Sequence, residues 1–186
     1  WYGATASIQA LHVRDSLSHE GAGAIHYESM MWRRRGACEF AEIEATDVGV
    51  ERVEAWYGGA LYMGNGCAEL RDVTVIDILV DDAGGIVFAS YGAQVNASNI
   101  SGADLLAVSR GGAFAAESAG IDVDGFELAG LTAEDGGLGW VSDGHIALQN
   151  GDVQGAEATR DGGLLWVSSG SASARCVTGC DLNAGR

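Results

Sequence analysis

The feature that most constrains folding is a recurring glycine doublet. Gly-Gly falls at 58–59, 84–85, 111–112, 136–137 and 162–163, at spacings of 26, 27, 25 and 26 residues. A fixed period of this length marks a repeat architecture, in which one unit buries its apolar face only against its neighbours. Each doublet is followed by an apolar burst, for example Ala-Leu-Tyr-Met (60–63), Ile-Val-Phe-Ala (86–89) and Leu-Leu-Trp-Val (164–167). About ten residues after the doublet an alternating segment begins, with Ala68/Leu70, Val95/Ala97, Ile121/Val123, Ile146/Leu148 and Ala172/Ala174 in matching places. Two residues further sits a turn-type residue in most copies: Asp72, Asn99, Gly125, Asn150 and Cys176. A third apolar segment then starts at Val73, Ile100, Phe126, Val153 and Val177.

The pattern extends towards the N-terminus. Cys38/Phe40/Ile43/Ala45 precedes Ala68/Leu70/Val73/Val75 by thirty residues, and Ala6/Ile8 fits once more. Anchors at 6, 38, 68, 95, 121, 146 and 172 give seven copies, with the period tightening from 32 to about 26 residues. The extra length is an insert at about 29–36 around Met30, Met31, Trp32, Arg33, Arg34 and Arg35. One domain spans 1–186, most regular over 58–186.

Segments of three to six alternating residues are too short for helical repeats, and the LxxLxL frame of leucine-rich repeats is absent. Short strands between residues that favour positive φ predict an all-β chain. The expected fold is a right-handed parallel β-helix of about seven coils of 25–32 residues, with three strands per coil. Equivalent residues then stack about 4.8 Å apart, so inward columns must be apolar in every coil. Tyr62, Phe88, Trp140 and Trp166 stack at one equivalent position, interrupted by Ala115. Apolar neighbours on both sides leave open which way it faces.

The doublet followed by Ala, Ile or Leu, as in Gly58-Gly59-Ala60-Leu61 and Gly111-Gly112-Ala113-Phe114, resembles the repeats of the chlamydial polymorphic outer membrane proteins. The FxxN motif of those repeats is missing here. The resemblance implies an extracellular β-helical passenger with an adhesive role, and it carries over no catalytic residue.

Charge narrows the partners. The chain has 26 acidic residues against ten basic ones, all Arg, for a formal net charge of −16. Nucleic acid and anionic membrane surfaces both require clustered positive charge, so neither is an expected partner. No apolar run reaches the length of a membrane-spanning helix. Four cysteines in an acidic, Lys-free chain point to an oxidising compartment. Cys38 and Cys67 lie in adjacent coils, and Cys176 and Cys180 bracket a short turn; both pairs are disulfide candidates. Asn96-Ala97-Ser98 and Asn99-Ile100-Ser101 are tandem glycosylation sequons, with Asn96 outward and Asn99 at a turn.

The outward acids Glu39, Glu69 and Asp122 align in one column with Asn96, and Asp124 lies in the next. Calcium is the one ion such columns would recruit, yet the calcium-binding nonapeptide is absent. No metal site and no cofactor are expected. No Lys is available as a base, the histidines sit in no nucleophile motif, and the repeat keeps its regularity. An enzyme is therefore not expected. The insert 30–35 combines apolar bulk with the basic run and reads as a contact loop for an acidic neighbour. No cap is legible at either end, so the ends invite pairing with further strands. The expected function is that of a structural extracellular or cell-surface solenoid, stacked head to tail or forming part of a long fibrous protein. An adhesin or glycan-binding shaft is the alternative.

Overall fold

The computed structural model describes residues 4–19, 21–28 and 41–184. The contact loop expected at Met30–Arg35, and Cys38, lie outside the described residues.

Every regular element among the described residues is a β-strand. Seven long strands form one sheet: β1 (Ala4–Ser18), β3 (Ala41–Tyr57), β5 (Cys67–Ala83), β7 (Gln94–Ala107), β9 (Gly120–Asp135), β11 (Gly144–Asp161) and β13 (Gly170–Ala184). Six short ones form the other: β2 (Ile25–Glu28), β4 (Leu61–Gly64), β6 (Val87–Ser90), β8 (Phe114–Glu117), β10 (Gly139–Ser142) and β12 (Leu165–Val167). All pairings are parallel and join strands of successive coils. The chain is a parallel β-solenoid of about six turns.

The long strands are not straight. Each is interrupted by two residues of positive φ five positions apart, such as Asp72 (55°) and Asp77 (56°) in β5. One corner column runs Ala10, Asp47, Asp72, Asn99, Gly125, Asn150, Cys176. Its members from Asp72 onward are the turn residues that the sequence marks. The other runs Asp15, Arg52, Asp77, Asp104, Gly130, Gly155, Asp181. A coil thus holds four straight segments, one more than the period alone suggests. Asn and Asp tolerate this conformation through their short polar side chains, and Gly meets no Cβ penalty.

The corners set the burial pattern. In an uninterrupted strand the inward residues would fall at every second position. In β5 they fall at Ala68, Leu70, Val73, Val75, Ile78 and Val80. Each left-handed residue inserts one extra position, so the pattern repeats every five residues. Inward columns such as Val53, Ile78, Leu105, Leu131 and Ala156 are all buried. Where a column holds a large ring the next coil makes room: a Cβ on Gly151 would enter the Phe126 ring.

The five-residue step explains a register error in the sequence reading. The residue in line with Ala6 and Ala68 is Ile43, not Cys38. Glu44, not Glu39, stands beside Glu69. A slip of five keeps every inward position apolar, so hydrophobicity alone does not detect it. The other anchors, 6, 68, 95, 121, 146 and 172, are in register as read.

The Gly-Gly corner joins the third segment to the short strand. The first glycine has positive φ, for example 70° at Gly84 and 62° at Gly111. At the second, a Cβ would fall onto a backbone carbonyl of the next coil: Gly59 onto Gly85, Gly85 onto Gly112, Gly112 onto Gly137. Backbones here approach more closely than any side chain allows. Gly23 stands in the same relation to Gly59, so the column reaches one coil beyond the doublets.

The aromatic column faces away from the main core. His26, Tyr62, Phe88, Ala115, Trp140 and Trp166 are successive partners on the outer side of the short sheet. Most of them belong to a separate buried cluster with Ala22, Tyr57 and Ala83. Trp140 and Trp166 stack with centroids 5.6 Å apart and planes 4° from parallel. In the coil where Ala115 supplies no ring, the Arg110 guanidinium lies 4.6 Å over Trp140. Two bonds to Asp82, of 3.2 and 2.6 Å, hold it there.

A candidate ligand groove

The second segment of each coil is only four residues wide between its two corners. Its outward residues alternate between small ones, such as Gly49, Thr74, Ser101, Ala103 and Ala129, and larger polar ones, such as His12, Arg14, Glu51, Glu127 and Asp152. Exposed corner side chains, among them Asp47, Asn99 and Asn150, stand along one margin. Three hollows of about 300, 300 and 540 Å³ result. The first two share Thr74 and Ile76; the second and third share Ser101, Glu127 and Asp152. Together they make one shallow groove along the solenoid axis from His12 to Cys176. Six inter-coil steps give it a length of about 29 Å.

The lining changes along its length. At the first coil lie His12 and Arg14, with Arg14 2.7 Å from Glu51. The middle carries hydroxyls and methyls, with Thr74 and Ser101 hydroxyls bonded at 3.0 Å. Beyond, Glu127 and Asp152 are register partners in adjacent coils. Asp152 accepts bonds from Thr178 Oγ1 at 2.7 Å and Gln154 Nε2 at 3.0 Å. The Thr178 bond, then the Gln154 bond, hold its carboxyl below the usual range. Asp152 is thus a fixed acceptor at neutral pH, not a proton donor. The groove thus offers hydroxyl, amide and carboxylate groups at different levels along the axis, each able to hydrogen-bond an extended polar ligand.

A further hollow, of about 210 Å³, lies on the first segment and is lined in part by Glu69, Asn96, Asp122 and Asp124. It holds the acidic columns foreseen from sequence. Arg71 bonds and neutralises Glu69, while Asp124 only accepts a bond from the uncharged Asn150 Nδ2 at 2.7 Å. Among the described residues no group of three or more His, Cys, Asp or Glu side chains could hold a metal ion.

Asn96 is exposed on a straight segment, as read from sequence. Asn99 sits at the corner with φ of 54°, and its Nδ2 donates to Asp72 Oδ1 at 3.0 Å. Cys67 is disulfide-bonded. The disulfide expected between Cys176 and Cys180 is not formed; both are free, exposed thiols. Residues 177–180 run extended against Gly151–Gln154. Four extended residues span about 13 Å, well beyond the Cα separation of about 7 Å that a disulfide tolerates.

The groove itself was not read from sequence. Its sequence signal is a pair of turn-type columns five residues apart, of which the repeat pattern marks one. Comparison with protein-family models, with curated proteins and with solved structures finds no match.

Proposed function

We propose that the chain is a non-catalytic structural solenoid of the cell surface or extracellular space, stacking end to end with copies of itself or forming part of a long shaft. One observation carries this reading: a parallel register runs through all seven long strands, with shifts at Ala55/Tyr57 and Ala158/Asp161, and the inward columns ahead of those shifts stay apolar or small. The same columns continue into the outermost described strands. Leu182 is 40% exposed where its partner Ala156, one coil in, is fully buried, and Ile8 and Leu11 at the other end are only partly buried. Among the described residues β1 and β13 are paired on one side only, and apolar columns that run to such an edge favour a further parallel strand, a head-to-tail contact that propagates. The disulfide at Cys67 supports an oxidising compartment. The resemblance to chlamydial polymorphic outer membrane proteins agrees with a surface location.

Negative-stain electron microscopy at rising concentration tests the proposal. Unbranched fibres of uniform width are the expected result; single dispersed rods at every concentration would overturn end-to-end stacking. Intact mass of protein from a glycosylating host tests the sequons. Sugar is expected on Asn96, since the Asn99 amide nitrogen that would carry a glycan is engaged by Asp72.

The groove favours a second reading, a shaft that holds a surface glycan. Titration with neutral oligosaccharides of increasing length tests it. Affinity growing with chain length and lost in Ser101→Trp would support a ligand lying along the axis.

A further inference from the structure

We propose that Asn65–Gly66 is a self-modifying site that converts to aspartate or isoaspartate without an enzyme, while the fold holds the chain's other Asn-Gly pair, Asn150–Gly151, inert. In the reaction the Gly66 backbone nitrogen bonds to the Asn65 Cγ. The Cγ–Nδ2 bond breaks, and Nδ2 leaves as ammonia with the Gly66 amide proton. Water then opens the cyclic imide at either carbonyl. Nothing is oxidised or reduced, and water is the only co-reactant.

The two sites present opposite geometries. The Asn65 side chain folds back over the following peptide: Gly66 N donates to Asn65 Oδ1 at 2.9 Å. The attacking nitrogen therefore already faces the side-chain carbonyl, and its proton is not committed to the backbone ladder. Both residues form the corner between β4 and β5, with φ of 74° and 98°, and Asn65 is partly exposed to the water that completes the reaction. Glycine at 66 leaves the approach free of a side chain.

Asn150 is turned the other way. Its Nδ2 donates to Asp124 one coil below at 2.7 Å. Gly151 lies within β11, paired with Phe126 on one side and Val177 on the other. Ring closure there would pull β11 out of register with both neighbours.

The corner accepts the aspartate product. Tyr91, Ser118 and Asp143 occupy the equivalent corner in later coils with φ of 54°, 52° and 55°, so a carboxylate is already built into this column at Asp143. Conversion adds one negative charge, and the isoaspartate form adds one backbone atom to the link between β4 and β5.

Tryptic mapping separates the sites, because cleavage after Arg places Asn65 in the fragment 53–71 and Asn150 in the fragment 111–160. The folded chain is held at mildly alkaline pH, sampled over days, then reduced and digested. The expected result is a gain of one mass unit in 53–71, split into two chromatographic forms, with none in 111–160. In urea both fragments gain. Asn65→Gln, which disfavours the five-membered ring, abolishes the gain in 53–71. Equal conversion of both fragments in the folded chain, or conversion of 53–71 only in urea, would overturn the proposal.

Discussion

The glycine corner offers a clean separation of two effects that usually travel together. Gly112 has ordinary φ, so only space constrains it; its Cβ would fall on the Gly137 carbonyl oxygen, with the carbonyl carbon 3.2 Å and the Leu131 Cβ 3.3 Å away. The obstacle is backbone, which does not swing aside. Gly92 is the converse, with φ of 85° and nothing within 4 Å of its Cβ. Gly112→Ala must push two coils apart, weakening the local bonds Gly111 N to Asp135 O (2.9 Å), Gly112 N to Gly136 O (3.1 Å) and Ala113 N to Leu138 O (3.1 Å). Three such bonds at about 1 kcal/mol each give a loss of about 3 kcal/mol. Gly92→Ala meets only the left-handed penalty, about 1–2 kcal/mol. For a chain of this size each kcal/mol lowers Tm by about 2–4 °C. Gly112→Ala is therefore expected to melt about 6–12 °C below the parent and to lie below Gly92→Ala as well. Thermal and urea unfolding followed by Trp fluorescence measures both. Equal losses, or the larger loss at Gly92, would refute the argument that close backbone approach maintains the doublet.

Other expectations follow from individual contacts. Gly125→Asn should change stability by no more than about 0.5 kcal/mol, since Asn99 and Asn150 occupy the same corner and Asn tolerates positive φ; urea midpoints check this. Arg110→Met keeps apolar bulk but removes the charge over Trp140 and leaves half-buried Asp82 without its guanidinium, a loss of about 1–3 kcal/mol that Arg110→Lys should only partly restore. Stability should narrow at both ends of the pH scale. Asp15 and Asp152 have depressed folded pKa values, through the Arg52 bond and the Thr178 bond respectively. Their contribution is present above the unfolded carboxylate pKa and is lost as pH falls through the folded values. Burial raises the Tyr62 phenol, so its contribution holds below the unfolded tyrosine pKa and is lost as pH rises through the folded one. Tm across pH, repeated in Asp152→Asn and Tyr62→Phe, separates these limbs. Cys176 and Cys180 should react with a thiol reagent in the native protein, and Cys67 only after reduction; labelled peptide mapping reads this directly.

The repeat, its period and the parallel solenoid are legible in the amino-acid order alone. The reason is stacking: a backbone contact made at every coil demands glycine at every coil, and an inward column demands an apolar residue at every level. The corner residues Asp72, Asn99, Gly125 and Asn150 were legible for the same reason. The second corner carries the same kind of signal, since Asp15, Asp77, Asp104, Gly130, Gly155 and Asp181 are all turn-type residues and only Arg52 departs, but it sits five residues after the first with no glycine doublet to mark it. Without that corner the five-residue step is hidden, and Cys38 fits the repeat as well as Ile43 does. The outward face of the aromatic column emerges only in the folded chain, since both faces of the short sheet are buried and alternation carries no information there. The fold also sets Arg110 in the place where Ala115 leaves no ring, keeps Cys176 and Cys180 too far apart to join, and makes a groove of the outward residues between two corners. These depend on which coil lies beside which, and sequence spacing alone does not contain that.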